Sequence, residues 1–518
     1  MQIRSAASDR KAFASCSFLL VFLSFLALTC SSGANKPPTN GGSSSGGDGS
    51  SSGGGTASPV TWTARAEVDA DEAGWNLQLR ANPDGRFSMV YYKRTPSSNL
   101  CTLTPTNSAA INLDIIRYAW FDGTAWQKED AVPQIENLFV PGLSLTFQGT
   151  SPVIAFLGGP ASVQCCGGSN LVMTKRTGSN QWTQSTIVSG SAEASAGSAC
   201  PSGQALCDTG DMVGMWPAIG RAPNGNLYAV YRDIHLCYAK EDMDKSDLEI
   251  AIQSGSGWQH EWIDLARGAG DYSQLAFDAT GNPAVVYFVP RLGTILFAKR
   301  PWQPWTQKPC ASNNSECPNG QTCDVNVCLC TSDAQCSGGY RCAGNRCSAV
   351  VAKDLGALPD NSISFAIGKD GRYLVAYFDG TDKSLKIAHS TDGITWESAI
   401  VDSDGVTGYY PSMVLHPTTG QPGIAYYRCS DAGKTECDRN QDGPRFAAFT
   451  GTYPTELSLT AKWKKMKIQA IDDKVAFDGA YLSADVQADG TLGVAYTYNW
   501  IDNGAAKYIV MFHQGTWK

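Results

Sequence analysis

From about residue 60 the chain alternates short apolar runs with turn residues, and the unit recurs along its length. Each unit is an apolar strand, a Gly turn, and a second strand with an aromatic six residues past the Gly. The pairs are Gly85/Tyr91, Gly225/Tyr231, Gly281/Tyr287, Gly371/Tyr377, Gly420/Tyr426 and Gly490/Tyr496. A seventh pair, Gly149/Phe156, has one extra residue. The turns read Asp84-Gly85, Asn224-Gly225, Thr280-Gly281, Asp370-Gly371 and Asp489-Gly490. Asx-Gly between β-rich runs predicts a hairpin, with positive φ expected at both turn residues. The runs after the turns, such as Val285-Val286-Tyr287 and Val375-Ala376-Tyr377, are continuous in their apolarity. They predict strands buried on both faces.

A second hairpin follows in most copies and reaches a Trp. Leu385 to His389 is followed by Trp396, Ile295 to Lys299 by Trp305, and Tyr508 to His513 by Trp517. Trp126, Trp182, Trp258 and Trp463 fill the matching places. Four short strands per copy, repeated in tandem, predict an all-β fold, a seven-bladed β-propeller. One blade cannot bury both of its faces alone, so the copies must close into a ring. The stretch beginning Thr61-Trp62 matches that beginning Thr395-Trp396. An N-terminal strand is therefore expected to complete the last blade and latch the wheel.

Ser390-Thr391-Asp392-Gly393-Ile394-Thr395-Trp396 resembles the Asp-box of sialidase-like propellers, one residue short. The resemblance implies a structural turn on the outer blade rather than a catalytic element. It also raises a glycan-active enzyme as the alternative function. Arg221-Ala222-Pro223 resembles the sialidase Arg-x-Pro motif only loosely and falls at the turn of the third copy.

The N-terminus reads as an export signal. Arg4, Arg10 and Lys11 precede an apolar stretch from Ala12 to Leu28. Ala27-Leu28-Thr29-Cys30 resembles a bacterial lipoprotein lipobox, which implies acylation of Cys30. The expected organisation is a signal peptide over 1–29, a lipidated Cys and Gly/Ser-rich linker over 30–58, and propeller segments over 59–306 and 351–518. A cysteine-rich insert occupies 307–350. The linker has too little apolar surface to fold and reads as a flexible spacer. The expected location is the cell envelope, as an exported lipoprotein anchored to the outer membrane.

The insert holds Cys310, Cys317, Cys323, Cys328, Cys330, Cys336, Cys342 and Cys347 as two tandem four-Cys units. Cys317-Pro-x-Gly-x-x-Cys323 and Cys336-x-Gly-Gly-x-x-Cys342 resemble EGF-like or Dickkopf-type cysteine-rich repeats. So short a segment has little core, and disulfides are expected to supply its stability. Spacing alone leaves the connectivity open. In the propeller, Cys200/Cys207 and Cys429/Cys437 are expected as local clips.

Composition narrows the function. The formal charge is −8 and no Lys/Arg cluster occurs, which argues against nucleic acid as a partner. Five scattered His and no His-Glu-x-x-His argue against a His-rich catalytic metal site. One cation motif is present: Asp438-x-Asn440-x-Asp442-Gly443 matches the first half of an EF-hand loop, so Ca²⁺ is a candidate ligand. The twelfth position is Phe449 rather than Glu, and a solvated polar turn is the competing reading.

Registering the repeats gives a second constellation. Nine or ten residues before the turn Gly sit Trp75, Phe139, Trp216, Tyr272, Tyr410 and Tyr481, while the fifth copy has Asn361 and Ser362. Asp71, Glu72, Asp211, Asp271, Asp360 and Asp478 precede several of them. In a propeller this end of the inner strands rings the channel mouth. Trp75, Trp216, Asp271, Tyr272, Tyr410 and Tyr481 are thus candidate ligand-binding residues for a glycan or protein partner. Packing between blades is the alternative role for the same aromatics. No Gly-x-Ser-x-Gly elbow, P-loop or dinucleotide fingerprint is present. The reading is a lipid-anchored binding protein without assigned catalytic residues.

Overall fold

The computed structural model describes residues 58–63, 65–71, 73–104, 107–137, 142–158, 169–190, 210, 212–234, 246–264, 268–302, 305–306, 314–324, 327–356, 358–359, 361–429, 443–468, 476–502 and 505–518. The signal segment, Cys30, the linker, Phe139, Glu72, Asp211, Asp360, Cys200, Cys207, Cys310, Cys437 and the Asp438–Asp442 loop lie outside them.

The chain from Pro59 to Lys518 is a seven-bladed, nearly all-β propeller. The innermost strands, in chain order, are Ala73–Ala81, Leu143–Gln148, Met212–Arg221, Asp271–Phe277, Ile363–Ile367, Val406–Leu415 and Ala476–Val486. Each touches the inner strands of both neighbouring blades, and the last touches the first, so the wheel closes. The second strands are buried on both faces, as their sequences predict: every residue of Leu227–Ile234, Pro283–Val289 and Tyr373–Asp379 is buried. The outer strands alternate with water instead. Gly257–Asp264 is exposed or half-buried until its last two residues, Ile263 and Asp264.

In three blades the repeated Tyr is a joint to the preceding blade, while Tyr231 and Tyr496 bond Glu249 and His513 of their own blades. Tyr287 donates to Asp264 at 2.6 Å, Tyr426 to Asp402 at 2.6 Å and Tyr91 to Asp69 at 2.8 Å. In each case the carboxylate ends the outer strand of the preceding blade. A cation attends each Asp: Arg117 and Lys128 at Asp69, Arg346 at Asp264, and Lys465 at Asp402. A buried phenol needs such a partner, which explains why Tyr rather than Phe recurs.

The hairpin turns differ from expectation in one respect. Only the Gly is left-handed, with φ of 78° at Gly85, 91° at Gly225 and 88° at Gly490. The Asx instead folds its side chain forward: Asn224 Oδ1 accepts from Asn226 N at 3.0 Å, and Asp489 Oδ1 from Thr491 N at 2.9 Å. The Asx thus serves as a local acceptor for a turn N–H and not as a second positive-φ residue.

The seventh blade combines three C-terminal strands with Val60–Trp62 and Ala66–Asp69 from the N-terminal end. This is the expected latch. The fourth blade is a correction. Its outer strand is Val350–Ala352, which pairs with Ile295 and Leu296 after the cysteine-rich segment has been traversed. Trp305 does not fill that place; it pairs with Ser348 inside the cysteine-rich sheet. The insert therefore interrupts one blade instead of separating two.

Within the insert, Cys317 pairs with Cys328, Cys330 with Cys342, and Cys336 with Cys347, each inside its own four-Cys unit. Cys323 and Cys429 are also disulfide-bonded. The knob is seated firmly on the propeller, with Arg346 beside Asp264 and Gly339 against Thr395 and Ile394.

Candidate ligand-binding channel

Each inner strand carries, just before it or no later than its middle, a residue in the left-handed region at a matching place: Asn76, Gly142, Trp216, Tyr272, Asn361, Tyr410 and Tyr481. In five blades the strand register slips at this point, the mark of a β-bulge. Left-handed φ costs a residue with a Cβ roughly 1–2 kcal/mol. Its recurrence shows that the surrounding structure enforces it.

Several of these side chains meet in pairs. Trp216 meets Tyr272 edge-on at 5.2 Å, and Tyr410 meets Tyr481 at 5.4 Å. Between the two pairs, Asn361 Nδ2 donates to Asn76 Oδ1 at 2.7 Å, joining the fifth blade to the first across the channel. Tyr272 is 8% exposed and Tyr410 is 7%, so much of each ring is spent on packing. Trp216 and Tyr481 are half-buried.

Trp75 sits one residue before the first-blade ring position, which Asn76 occupies. It packs on Tyr481 at 5.7 Å and Tyr508 at 4.8 Å. Two guanidiniums cover the tryptophans. Arg94 lies 5.6 Å over Trp75 and is held by both oxygens of Asp114, at 2.9 and 3.0 Å. Arg232 lies 5.5 Å over Trp216 and is ion-paired with buried Asp271. Predicted Asp271 is therefore a counter-ion that orients Arg232. Asp71 likewise pairs with Lys93, whose hydrogen bond holds its carboxyl below the usual range.

Beneath the mouth lies a cavity of about 290 Å³, lined by all seven inner strands. Among its lining residues only Arg80 and Asp485 are charged. Burial pushes the Arg80 guanidinium down and the Asp485 carboxyl up from their ordinary values. A side-chain relay stitches the blades here. Ser483 accepts from Leu79 N at 3.0 Å, Gln78 from Leu145 N, and Ser144 from Ile219 N at 3.1 Å. Ser364 accepts from Met413 N and Ser412 from Ala484 N, each at 2.9 Å. The relay skips the fourth blade, because Ala218, at the matching place of the third blade, has no side-chain acceptor to offer.

Sequence reasoning missed Arg80, Asp485 and the Ser/Gln relay. The available signal was small: a Ser or Gln two residues past the ring position in most copies, and a charge two residues later in only two.

The Asp-box-like segment forms the turn its resemblance implies. Asp392 Oδ1 accepts from Ile394 N at 2.7 Å and Thr395 N at 2.8 Å, and Trp396 Nε1 donates to Gly393 O at 3.1 Å. Trp396 packs edge-on against Phe297 at 5.4 Å, far out on the blade. The segment is structural.

No protein-family model matches the chain. No curated protein matches it in sequence. Solved structures of similar fold include a protein of unknown function from Dyadobacter fermentans, 11% identical, covering 88% of this chain and 99% of that one, with a TM-score of 0.40. The NanB sialidase of Streptococcus pneumoniae is 12% identical over 88% of this chain and 70% of its own, with a TM-score of 0.40. A sialidase of Trypanosoma rangeli is 11% identical over 86% of this chain and 55% of its own, with a TM-score of 0.38. The chain thus has sialidase-like propeller neighbours in fold, at identities that say nothing of its chemistry.

Proposed function

We propose that this is an exported, lipid-anchored cell-envelope protein, acylated at Cys30, whose channel-mouth face binds a glycan or protein ligand. The observation that carries the reading is the pair of Trp–Arg–Asp clamps, Trp75 with Arg94 and Asp114, and Trp216 with Arg232 and Asp271. Each fixes an indole against a charge-neutralised guanidinium packed behind it, and a held indole suits sugar faces and apolar peptide groups. Glycoside hydrolysis instead needs two carboxylates flanking the scissile bond, one held protonated. The carboxylates described at this mouth are engaged as counter-ions. On this reading Trp75, Trp216, Asp271, Tyr272, Tyr410 and Tyr481 form or support the binding face. Asp438, Asn440 and Asp442 are proposed to hold one Ca²⁺ ion.

Glycan-array binding tests the proposal. Trp216→Ala and Tyr272→Ala are expected to lower binding at least about tenfold. Parent-level binding by folded variants would assign these side chains to packing alone. A second reading, a sialidase-like glycan-active enzyme, rests on the Asp-box-type turn. Release of sialic acid from a fluorogenic sialoside by the parent protein would favour it.

A further inference from the structure

The hydrogen bonds that join successive blades leave the lumen rich in donors. A serine oxygen that accepts a backbone N–H still carries its own proton. Ser144, Ser364 and Ser483 each accept in this way. None of the three has an acceptor for that proton among the described residues, and all three line the cavity. Gln78 accepts through Oε1 from Leu145 N, so its amide N–H₂ remains to be satisfied.

Arg80 adds the charge. Its Nη1 donates to Leu79 O at 2.9 Å, and no other acceptor among the described residues reaches the guanidinium. Asp485, on the adjacent inner strand, attracts the guanidinium through space but makes no hydrogen bond with it. One of its oxygens accepts from Ala81 N at 2.9 Å and the other from Val486 N at 2.8 Å. Both are turned to the backbone. A partly buried guanidinium with most of its donors unmatched calls for acceptors that the lumen's own side chains do not offer.

We infer that the lumen is a binding site for a small oxyanion of the sulfate, phosphate or carboxylate class. Arg80 is its charged anchor, and the Ser144, Ser364, Ser483 and Gln78 donors complete the lining. Asp485 opposes the anion and sets a ceiling on affinity. The site does not depend on a ligand at the aromatic mouth, so either reading can fail without the other.

The test uses the full chain. Sodium sulfate, phosphate and acetate are titrated calorimetrically against chloride at matched ionic strength, and crystals are soaked in selenate. Saturable binding of at least one anion and an anomalous selenium peak beside Arg80 are expected. Arg80→Gln should weaken binding about tenfold or more. Asp485→Asn should tighten it several-fold, a change of opposite sign that loss of structure does not produce. A lumen free of selenium, or equal affinity in folded Arg80→Gln, overturns the inference. Should Arg80→Gln fail to fold, unchanged or weaker binding in Asp485→Asn does the same.

Discussion

Val60 faces Trp517 as a strand partner on the outer edge of the seventh blade, with Thr61 opposite Thr516 and Trp62 opposite Gly515. The two ends of the folded chain thus share one sheet. Lys518 N donates to Pro59 O at 2.9 Å, which extends the pairing to the last residue. Trp517, 5% exposed, packs edge-on to Phe446 at 5.3 Å and His416 at 5.0 Å of the sixth blade. Trp517→Ala is expected to cost about 3–5 kcal/mol, because the cavity opens where the wheel closes. Urea unfolding measures it. A loss below about 0.5 kcal/mol would show that the latch contributes little.

The Tyr287–Asp264 bond spans the third and fourth blades at 2.6 Å between two buried groups. Tyr287→Phe should cost about 1–3 kcal/mol, since Asp264 stays buried with a lost donor. Asp264→Ala should cost more. It removes the acceptor of Tyr287 and also the carboxylate beside Arg346, which ties the cysteine-rich knob to the propeller. Limited proteolysis of Asp264→Ala should cut the knob earlier than in the parent. Equal cutting would separate knob seating from this joint.

His513 is fully buried, bonded through Nε2 to Tyr496 at 2.9 Å, and its Nδ1 has no partner among the described residues. Burial lowers its pKa from 6.5 to about 4, with the nearby Arg65 charge acting in the same direction. The unfolded chain therefore binds a proton that the folded chain refuses. Stability is unaffected by this group above the ordinary His value and falls as pH drops from 6.5 toward about 4. The loss should be on the order of 3 kcal/mol across that window. His513→Gln should flatten the acid limb of a melting-temperature profile. An unchanged limb would assign acid sensitivity to other groups.

Calorimetry with Ca²⁺ tests the proposed cation loop. The parent protein is expected to bind one ion, and Asp438→Ala or Asp442→Ala to lose it. No heat in the parent removes the site.

The legible parts of the sequence were those set by near neighbours in the chain. Gly-to-Tyr spacing reports a hairpin and a two-faced strand, both local events, so seven copies and their strand order could be read directly. The match of Thr61-Trp62 to Thr395-Trp396 placed the latch, because an outer strand keeps its pattern even when severed from its blade. Reading failed where a partner lay far off. Trp305 has the spacing of an outer-strand Trp, yet the disulfide-stapled sheet captured it and left Val350–Ala352 to finish the blade. The aromatic alignment slipped by one at Trp75, because a bulge shifts facing without changing composition.

The sequence by itself determined the blades, their number and the structural character of the Asp-box turn, since each rests on hydrophobic alternation and turn chemistry within a few tens of residues. Only the tertiary structure decided that Asn76 and Asn361 bridge the channel, that aromatics pair at its mouth, and that Arg80 and Asp485 are the charges lining its lumen. Those relationships join residues from six separate segments of the chain. Ring closure brings them within hydrogen-bond reach, and no spacing along the chain encodes that convergence.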